Sequence, residues 1–129
     1  MVIDTSAVVA ILREESEAEG LLRRLTAAGS RRISAASLLE SAIVLEGKFG
    51  ARGGEQLDLF MARAQIEVEP VTAEQTRIAR KAWLRYGKGR GHAAGLNFGD
   101  CFSYALAKSL GEELLYKGAD FDHTDVARA

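Results

Sequence analysis

The chain is short of most features that mark membrane, secreted or zinc-binding proteins. Its 129 residues include one cysteine, Cys101, and two histidines, His92 and His123. A lone cysteine excludes an internal disulfide and fits a reducing compartment. No Cys/His cluster exists to hold a structural zinc. Cys101 lies on an apolar helical stripe with no signature of a nucleophile, so it reads as a small buried hydrophobe. No apolar run approaches the length of a membrane span. Val2-Ile3 is interrupted at once by Asp4, so the N-terminus does not read as a signal peptide. A cytoplasmic protein with no membrane contact is expected. The formal net charge of −1 gives no global attraction to nucleic acid.

One local absence is more informative. No acid occurs between Gln75 and Gly99, whereas Arg77, Arg80, Lys81, Arg85, Lys88, Arg90 and His92 all fall there. Such a segment can hold phosphates or simply form a solvated helix face. The remaining composition, 47% hydrophobic and 27% charged, is ordinary for a soluble globular protein. The length suits one domain with a real core, and no linker, repeat or low-complexity stretch divides it. A single domain over 1–129 is expected.

Strand and helix patterns alternate along the chain. Met1-Val2-Ile3 reads as a short buried strand, followed by a helix that Thr5 or Ser6 can cap. Ser16 can cap a second helix that runs to Gly29. Arg32-Ile33-Ser34 reads as a second strand, and a long helix over Leu38 to Lys48 follows from Ser34 or Ser37. Gly53-Gly54 is expected to separate this from a helix carrying Leu57, Phe60, Met61 and Ala64. Residues 66–71 alternate like a strand leaving its sheet at Pro70. Thr72-Ala73-Glu74-Gln75 has the capping-box form and opens a helix through Tyr86.

A mobile glycine-rich loop, Gly87 to Gly95, then leads to Asn97, a good N-cap. Phe98, Cys101, Phe102, Ala105 and Leu106 recur at helical spacing, so this stripe is expected to pack inward. Glu113 to Lys117 reads as a fourth strand, Gly118 to Phe121 as the turn leaving it, and His123 to Ala129 as a frayed or weakly paired end. Strands alternating with helices imply β-α-β crossovers. The expected fold is α/β: a three-layer α/β/α sandwich around a mostly parallel sheet.

Four acids stand out against that frame. Asp4 follows the first strand and Asp120 the fourth, so both fall on the carboxyl edge of the sheet, where open α/β folds bind ligands. Asp100 lies in the first turn of the Asn97 helix, where it can also complement the helix dipole. Glu40 is a single charge inside an otherwise apolar helix. Carboxylates crowded together repel one another unless a cation neutralises them, and hard oxygen-ligand cations such as Mg²⁺ or Mn²⁺ do so beside phosphate.

These residues resemble a known family. Met1-Val2-Ile3-Asp4-Thr5-Ser6-Ala7, the mid-helix Glu40, Leu96-Asn97-Phe98-Gly99-Asp100-Cys101 and Leu115-Tyr116-Lys117-Gly118-Ala119-Asp120-Phe121 look like the PIN-domain ribonucleases. More narrowly, they are similar to the VapC-type toxins of bacterial toxin–antitoxin pairs, over essentially the whole chain. The resemblance implies a metal-dependent endoribonuclease in which Asp4, Glu40, Asp100 and Asp120 hold one or two Mg²⁺ or Mn²⁺ ions. Water would be activated for in-line attack on an RNA phosphodiester, leaving a 5′-phosphate and a 3′-hydroxyl.

By the same resemblance, Thr5 or Ser6 would support Asp4, and Asp122 would stand in reserve beside Asp120, with Asp125 also near. Ala119 departs from the family, which often has Asn or Asp there. Lys88, Arg90 and His92 are candidate RNA contacts. A homodimer and a small antitoxin are the implied protein partners, and Val8, Val9, Ile11 and Leu12 could offer part of the antitoxin's groove.

Three other readings fit less well. A phosphoacceptor of doubly wound fold usually needs a second acid near the first, and Asp4 is followed by Thr5-Ser6-Ala7. A P-loop fits less well still, because Gly87-Lys88-Gly89-Arg90 lacks Ser or Thr after its lysine and follows a helix rather than a strand. A catalytically inactive PIN scaffold, working only through protein or nucleic-acid binding, should have lost an acid, and none of the four is missing.

Overall fold

Two-residue strands make the centre of this molecule, and burial rather than strand length holds them. β1 (Val2–Ile3) and β4 (Leu114–Leu115) are wholly buried. Each such side chain contributes roughly 1.5–3 kcal/mol by leaving water. Successive side chains point to opposite faces of the sheet. Val2 and Leu114 therefore enter one core, with Leu96, Tyr104, Leu106 and Phe121, while Ile3 and Leu115 enter another, with Val8, Leu21, Ile33 and Leu45. These two cores lie between the sheet and the helices on either side of it, in a three-layer sandwich. The structure, a computed structural model, describes residues 1–129.

The sheet has four parallel strands in the order β3-β2-β1-β4, with β2 (Arg32–Ser34) and β3 (Glu67–Glu69) completing it. Two helices fill each connection: α1 (Thr5–Leu12) and α2 (Ala18–Ala27), α3 (Ala35–Phe49) and α4 (Ala51–Arg63), α5 (Ala73–Tyr86) and α6 (Phe98–Leu110). The strand order reverses at β1, which puts the switch point between β1 and β4. Arg31 ties two of these units together, donating to the carbonyls of Leu25, Thr26 and Ala28 at the end of α2 and of Ala64 after α4. Its guanidinium thus caps two helix C-termini, where a cation is favoured.

Several local expectations need correction. Asp4 itself, not Thr5 or Ser6, caps α1, and α2 starts at Glu17 with no side-chain cap, Ser16 bonding Glu17 instead. Ser34 caps α3, and the break before α4 comes at Gly50, where φ is +67°. Gly53-Gly54 lies inside α4 because the helices approach closely there: a Cβ on Gly53 would sit 2.3 Å from the Leu45 carbonyl oxygen. Thr72 caps α5 through the Gln75 N–H, whereas the reciprocal capping box forms at Asn97 and Asp100. Of the two forms expected for the chain end, the weakly paired one is found: Leu114 N–H donates to the Ala127 carbonyl and Ala129 N–H to the Leu114 carbonyl, with Val126 buried.

The α6 stripe is only partly inward. Cys101, Ala105 and Leu106 are buried, but Phe98 is 80% exposed, stacked edge-on against Phe102 at 4.9 Å. α3 likewise turns Leu39 and Ile43, each 62% exposed, away from the core.

Candidate active site

The carboxyl edge of the sheet collects the acids through two helix starts, the second turn of a third helix and one loop turn. Asp4 ends β1, and its Oδ2 accepts the Ser6 N–H at 2.9 Å as the N-cap of α1. Asp100 is the third residue of α6: its Oδ2 accepts the Asn97 N–H at 3.0 Å, while its own N–H donates to Asn97 Oδ1 at 2.9 Å. In both residues the second oxygen accepts no hydrogen bond from the protein. Asp4 is 3% exposed, yet that oxygen is not among the buried unpaired atoms, so it still meets solvent.

Glu40 reaches the same place from the second turn of α3. Its carboxylate lies against the first turn of α6, where a Cβ on Gly99 would come within 2.2 Å of Oε2. Only glycine leaves that space. Asp120 is exposed in the turn after β4, where Gly118 adopts a φ of +91°.

These acids feel one another. The Asp100 carboxyl is pushed up to about 7, first by burial, then by the negative charges of Asp4, Asp120 and Glu40, against the pull of the Asn97 N–H. None of the four is ion-paired; the lysines and arginines of the neighbouring elements pair elsewhere. A dense, uncompensated set of carboxylate oxygens suits a hard divalent cation. The fit is one of charge and location, because no three His, Cys, Asp or Glu side chains already close on one point.

A hydroxyl seam under the acids escaped sequence reasoning. Thr5 Oγ1 donates to the Ser37 carbonyl at 3.1 Å, Ser41 Oγ donates to the same carbonyl at 2.8 Å, and Ser37 and Ser103 hydroxyls meet at 3.0 Å. The seam links α1, α3 and α6, the helices that carry Asp4, Glu40 and Asp100. All of these hydroxyl residues are buried, and each is paired, which removes the cost of burying them. Ser37 and Ser41 stand four apart on one helix face, the only sequence signal they offered.

The other candidates separate. Thr5 works in this seam, and Ser6 Oγ accepts the Lys117 N–H at 3.0 Å. Asp122 is not among the charges acting on Asp100; it accepts from Tyr116 Oη at 2.6 Å and pairs with Arg128 at 2.7 Å. Asp125 similarly holds Tyr104 and Lys108. Lys88, Arg90 and His92 lie exposed on the loop before α6, which is pinned by a bridge between Gly87 and Leu96. Arg90 sits over Trp83 at 5.1 Å, and His92 packs edge-on to Tyr86 while its Nδ1 accepts the Ala94 N–H. Cys101 is inert: burial, with Asp100 beside it, pushes its thiol up.

The PIN domain model matches residues 1–127. The chain belongs to the PIN-domain family, among its VapC ribonucleases. It is 56% identical to Ribonuclease VapC of Mycolicibacterium smegmatis, over 98% of each chain. To Ribonuclease VapC30 of Mycobacterium tuberculosis it is 54% identical, over 98% of this chain and 96% of the relative. The fold is shared with the crystal structure of Mycobacterium tuberculosis VapC20, a sarcin-ricin loop cleaving toxin, at a TM-score of 0.76 and 20% identity over 99% of this chain and 97% of that one. It is shared as well with VapBC2 from Rickettsia felis bound to a promoter DNA fragment, at a TM-score of 0.74 and 18% identity over 99% and 96%.

Proposed function

We propose that this protein is the endoribonuclease toxin of a toxin–antitoxin pair, hydrolysing RNA phosphodiesters at Asp4, Glu40, Asp100 and Asp120. The observation that carries this is the meeting of Asp4, Glu40, Asp100 and Asp120 at the sheet's switch point with no protein cation to balance them, where burial first and the other three acids after it raise the Asp100 carboxyl. VapC nucleases of the PIN family are divalent-metal dependent, and Mg²⁺ or Mn²⁺ suits an all-carboxylate set. When bound, such an ion lowers the pKa of water and stabilises charge on a phosphoryl group. The chain's own part is to aim the free oxygens of Asp4 and Asp100 from rigid helix starts, with Glu40 and Asp120 closing the set. The inactive-scaffold reading is not favoured, since all four acids are present.

The basic segment supports RNA as the substrate. Lys88, exposed and unpaired on the loop leading into α6, is the strongest of the three proposed contacts, with Arg90 and His92. Two apolar surfaces support the protein partners. Ile11, Leu12, Leu59 and Phe60 line a groove between α1 and α4, edged by one charge of each sign, Glu14 and Arg63, and this suits an apolar antitoxin segment. Val8, fully buried, belongs to the core instead. A cleft of about 340 Å³ between α5 and α6 is lined by Trp83, Phe102 and the exposed Phe98. An exposed apolar face of this kind suits a two-fold homodimer. The single buried cysteine fits the cytoplasm.

The test is cleavage of a mixed RNA pool by antitoxin-free protein with Mg²⁺, Mn²⁺ or EDTA, beside Asp100→Asn. Asparagine keeps an oxygen for the Asn97 N–H, so the fold should persist while cleavage falls by roughly a hundred- to a thousandfold. Cuts should need metal and leave 5′-phosphates. An equally active Asp100→Asn protein would sink the assignment.

A further inference from the structure

Asp120 is the one acid of the four that neither lies in a helix nor caps one, so something else must set its place. The pairing of β1 with β4 sends the Val2 N–H to the Glu113 carbonyl and the Asp4 N–H to the Leu115 carbonyl. In that register the next rung would carry the Lys117 N–H to the Asp4 carbonyl. That carbonyl is already engaged, accepting from the Ala7 and Val8 N–H groups at 3.1 and 3.3 Å as the first turn of α1. A buried or half-buried N–H left without a partner is costly. The Lys117 N–H is taken instead by the Ser6 hydroxyl at 3.0 Å, which replaces the missing rung.

The other end of Lys117 is tied as well. Its ammonium lies 2.5 Å from a Glu15 carboxylate oxygen and 3.7 Å from one of Glu17, in the turn after α1. One residue is therefore fastened at backbone and side chain to the two ends of the same helix. Gly118 then turns the chain, Ala119 and Asp120 are exposed, and Phe121, 2% exposed, anchors the far side. Asp120 hangs between two posts, three residues beyond the first.

We propose that Lys117 is the positioning residue for Asp120: its ties to Ser6 and Glu15 set the turn from which Asp120 reaches the acidic site, and with it the site's affinity for a divalent cation. This rests on the reading of Asp4, Glu40, Asp100 and Asp120 as one metal-holding set. Charge alone argues the opposite sign. Removing a lysine near an acidic cluster removes a competing cation and should tighten metal binding. Losing a post should weaken it.

The experiment is calorimetric titration of Mn²⁺ into the full chain, for wild type, Lys117→Met, Lys117→Arg, Ser6→Ala, Asp120→Asn and the double variant Lys117→Met/Asp120→Asn. Circular dichroism checks that each is folded. Lys117→Met should weaken Mn²⁺ by about tenfold, the usual loss when an outer partner of a ligand is removed. Lys117→Arg, which can still reach Glu15, should restore most of that. Ser6→Ala changes no charge, removes the other tie and should weaken binding in the same direction, so the idea survives a Lys117→Met protein that fails to fold.

In the Asp120→Asn background, Lys117→Met should add nothing, because its effect runs through Asp120. Tighter Mn²⁺ binding by Lys117→Met, or equal weakening with and without Asp120, overturns the proposal. An Asp120→Asn protein with undiminished Mn²⁺ affinity would overturn the four-carboxylate reading instead, and it does so without reference to Lys117.

Discussion

Asp4 and Asp100 each commit one carboxylate oxygen to a backbone N–H at a helix start, whereas Glu40 and Asp120 reach the same edge without any such bond. The first pair is placed by helix capping, a local rule worth about 0.5–2 kcal/mol per cap. The second pair is placed by its surroundings: a glycine that makes room in one case, a fastened turn in the other. Half of the site is therefore built into the fold, and half can adjust. On the proposed function, a site that holds a cation and admits an RNA strand would benefit from both. The rigid half would set where a metal is held, and the adjustable half would complete its ligands.

The rigid half can be interrogated by pH. With its carboxyl raised to about 7, Asp100 is substantially protonated in the metal-free protein at neutral pH, and a metal must displace that proton. Apparent Mn²⁺ affinity should rise about tenfold per pH unit up to pH ~7 and level off above it. The metal-free protein should show the reverse trend in stability. A carboxyl that holds its proton more tightly folded than unfolded stabilises the fold at low pH, and that contribution is lost as pH rises through about 7. Calorimetric titration and thermal melts in EDTA check the two together. Asp100→Asn should flatten both profiles, and an unaltered slope in that variant would assign the proton elsewhere.

Glu40 offers the sharper contrast within the adjustable half. Gly99→Ala would place a Cβ where the Glu40 carboxylate lies, and the end of a flexible side chain moves at little cost. The melting temperature should therefore hardly change while cleavage falls by about tenfold, the scale of a misplaced supporting group. Glu40→Gln should not add fully to it, since both changes act on one carboxylate. Full additivity in RNA cleavage would mean that Gly99 matters for another reason.

How much of this could be read in the chain follows the same division. The capped acids were legible because Asn97 three residues before Asp100, and a strand ending at Asp4, are local patterns with a local cause. The parallel sheet and its layers followed from strands alternating with helices. What failed depended on neighbours far away in sequence. The Phe98 stripe has the spacing of a core face, but periodicity cannot tell a face that meets the core from one left for something else. Gly53-Gly54 looked like a break because glycine also serves where two helices come close. Ser37, Ser41 and Ser103 gave almost no signal, since a helical serine usually faces water; here they meet only because α3 and α6 cross beneath the acids. The pairing of Ala127 and Ala129 with Leu114 depends on which edge of the sheet is open.

Asp122 tests where the site ends. It lies two residues past Asp120, close enough in sequence to replace it as a ligand, yet its carboxylate bonds the Tyr116 hydroxyl and the Arg128 guanidinium, and Arg128 in turn lies over the Tyr116 ring at 4.6 Å. The Tyr116 hydroxyl first, and Arg128 after it, hold the Asp122 carboxyl below its usual range, while burial and then the bond to Asp122 push the Tyr116 hydroxyl up to about 12 against the pull of Arg128. The pair is a fastening of the C-terminal segment over Phe121, the far post of the Asp120 turn. Asp122→Asn keeps an acceptor for the Tyr116 hydroxyl and weakens the Arg128 pair. Cleavage at saturating Mn²⁺ should stay within about twofold of wild type, with a small drop in melting temperature, because partly exposed pairs are weak. A loss as large as that of Asp120→Asn would move the boundary of the site and make Asp122 a member of the adjustable half.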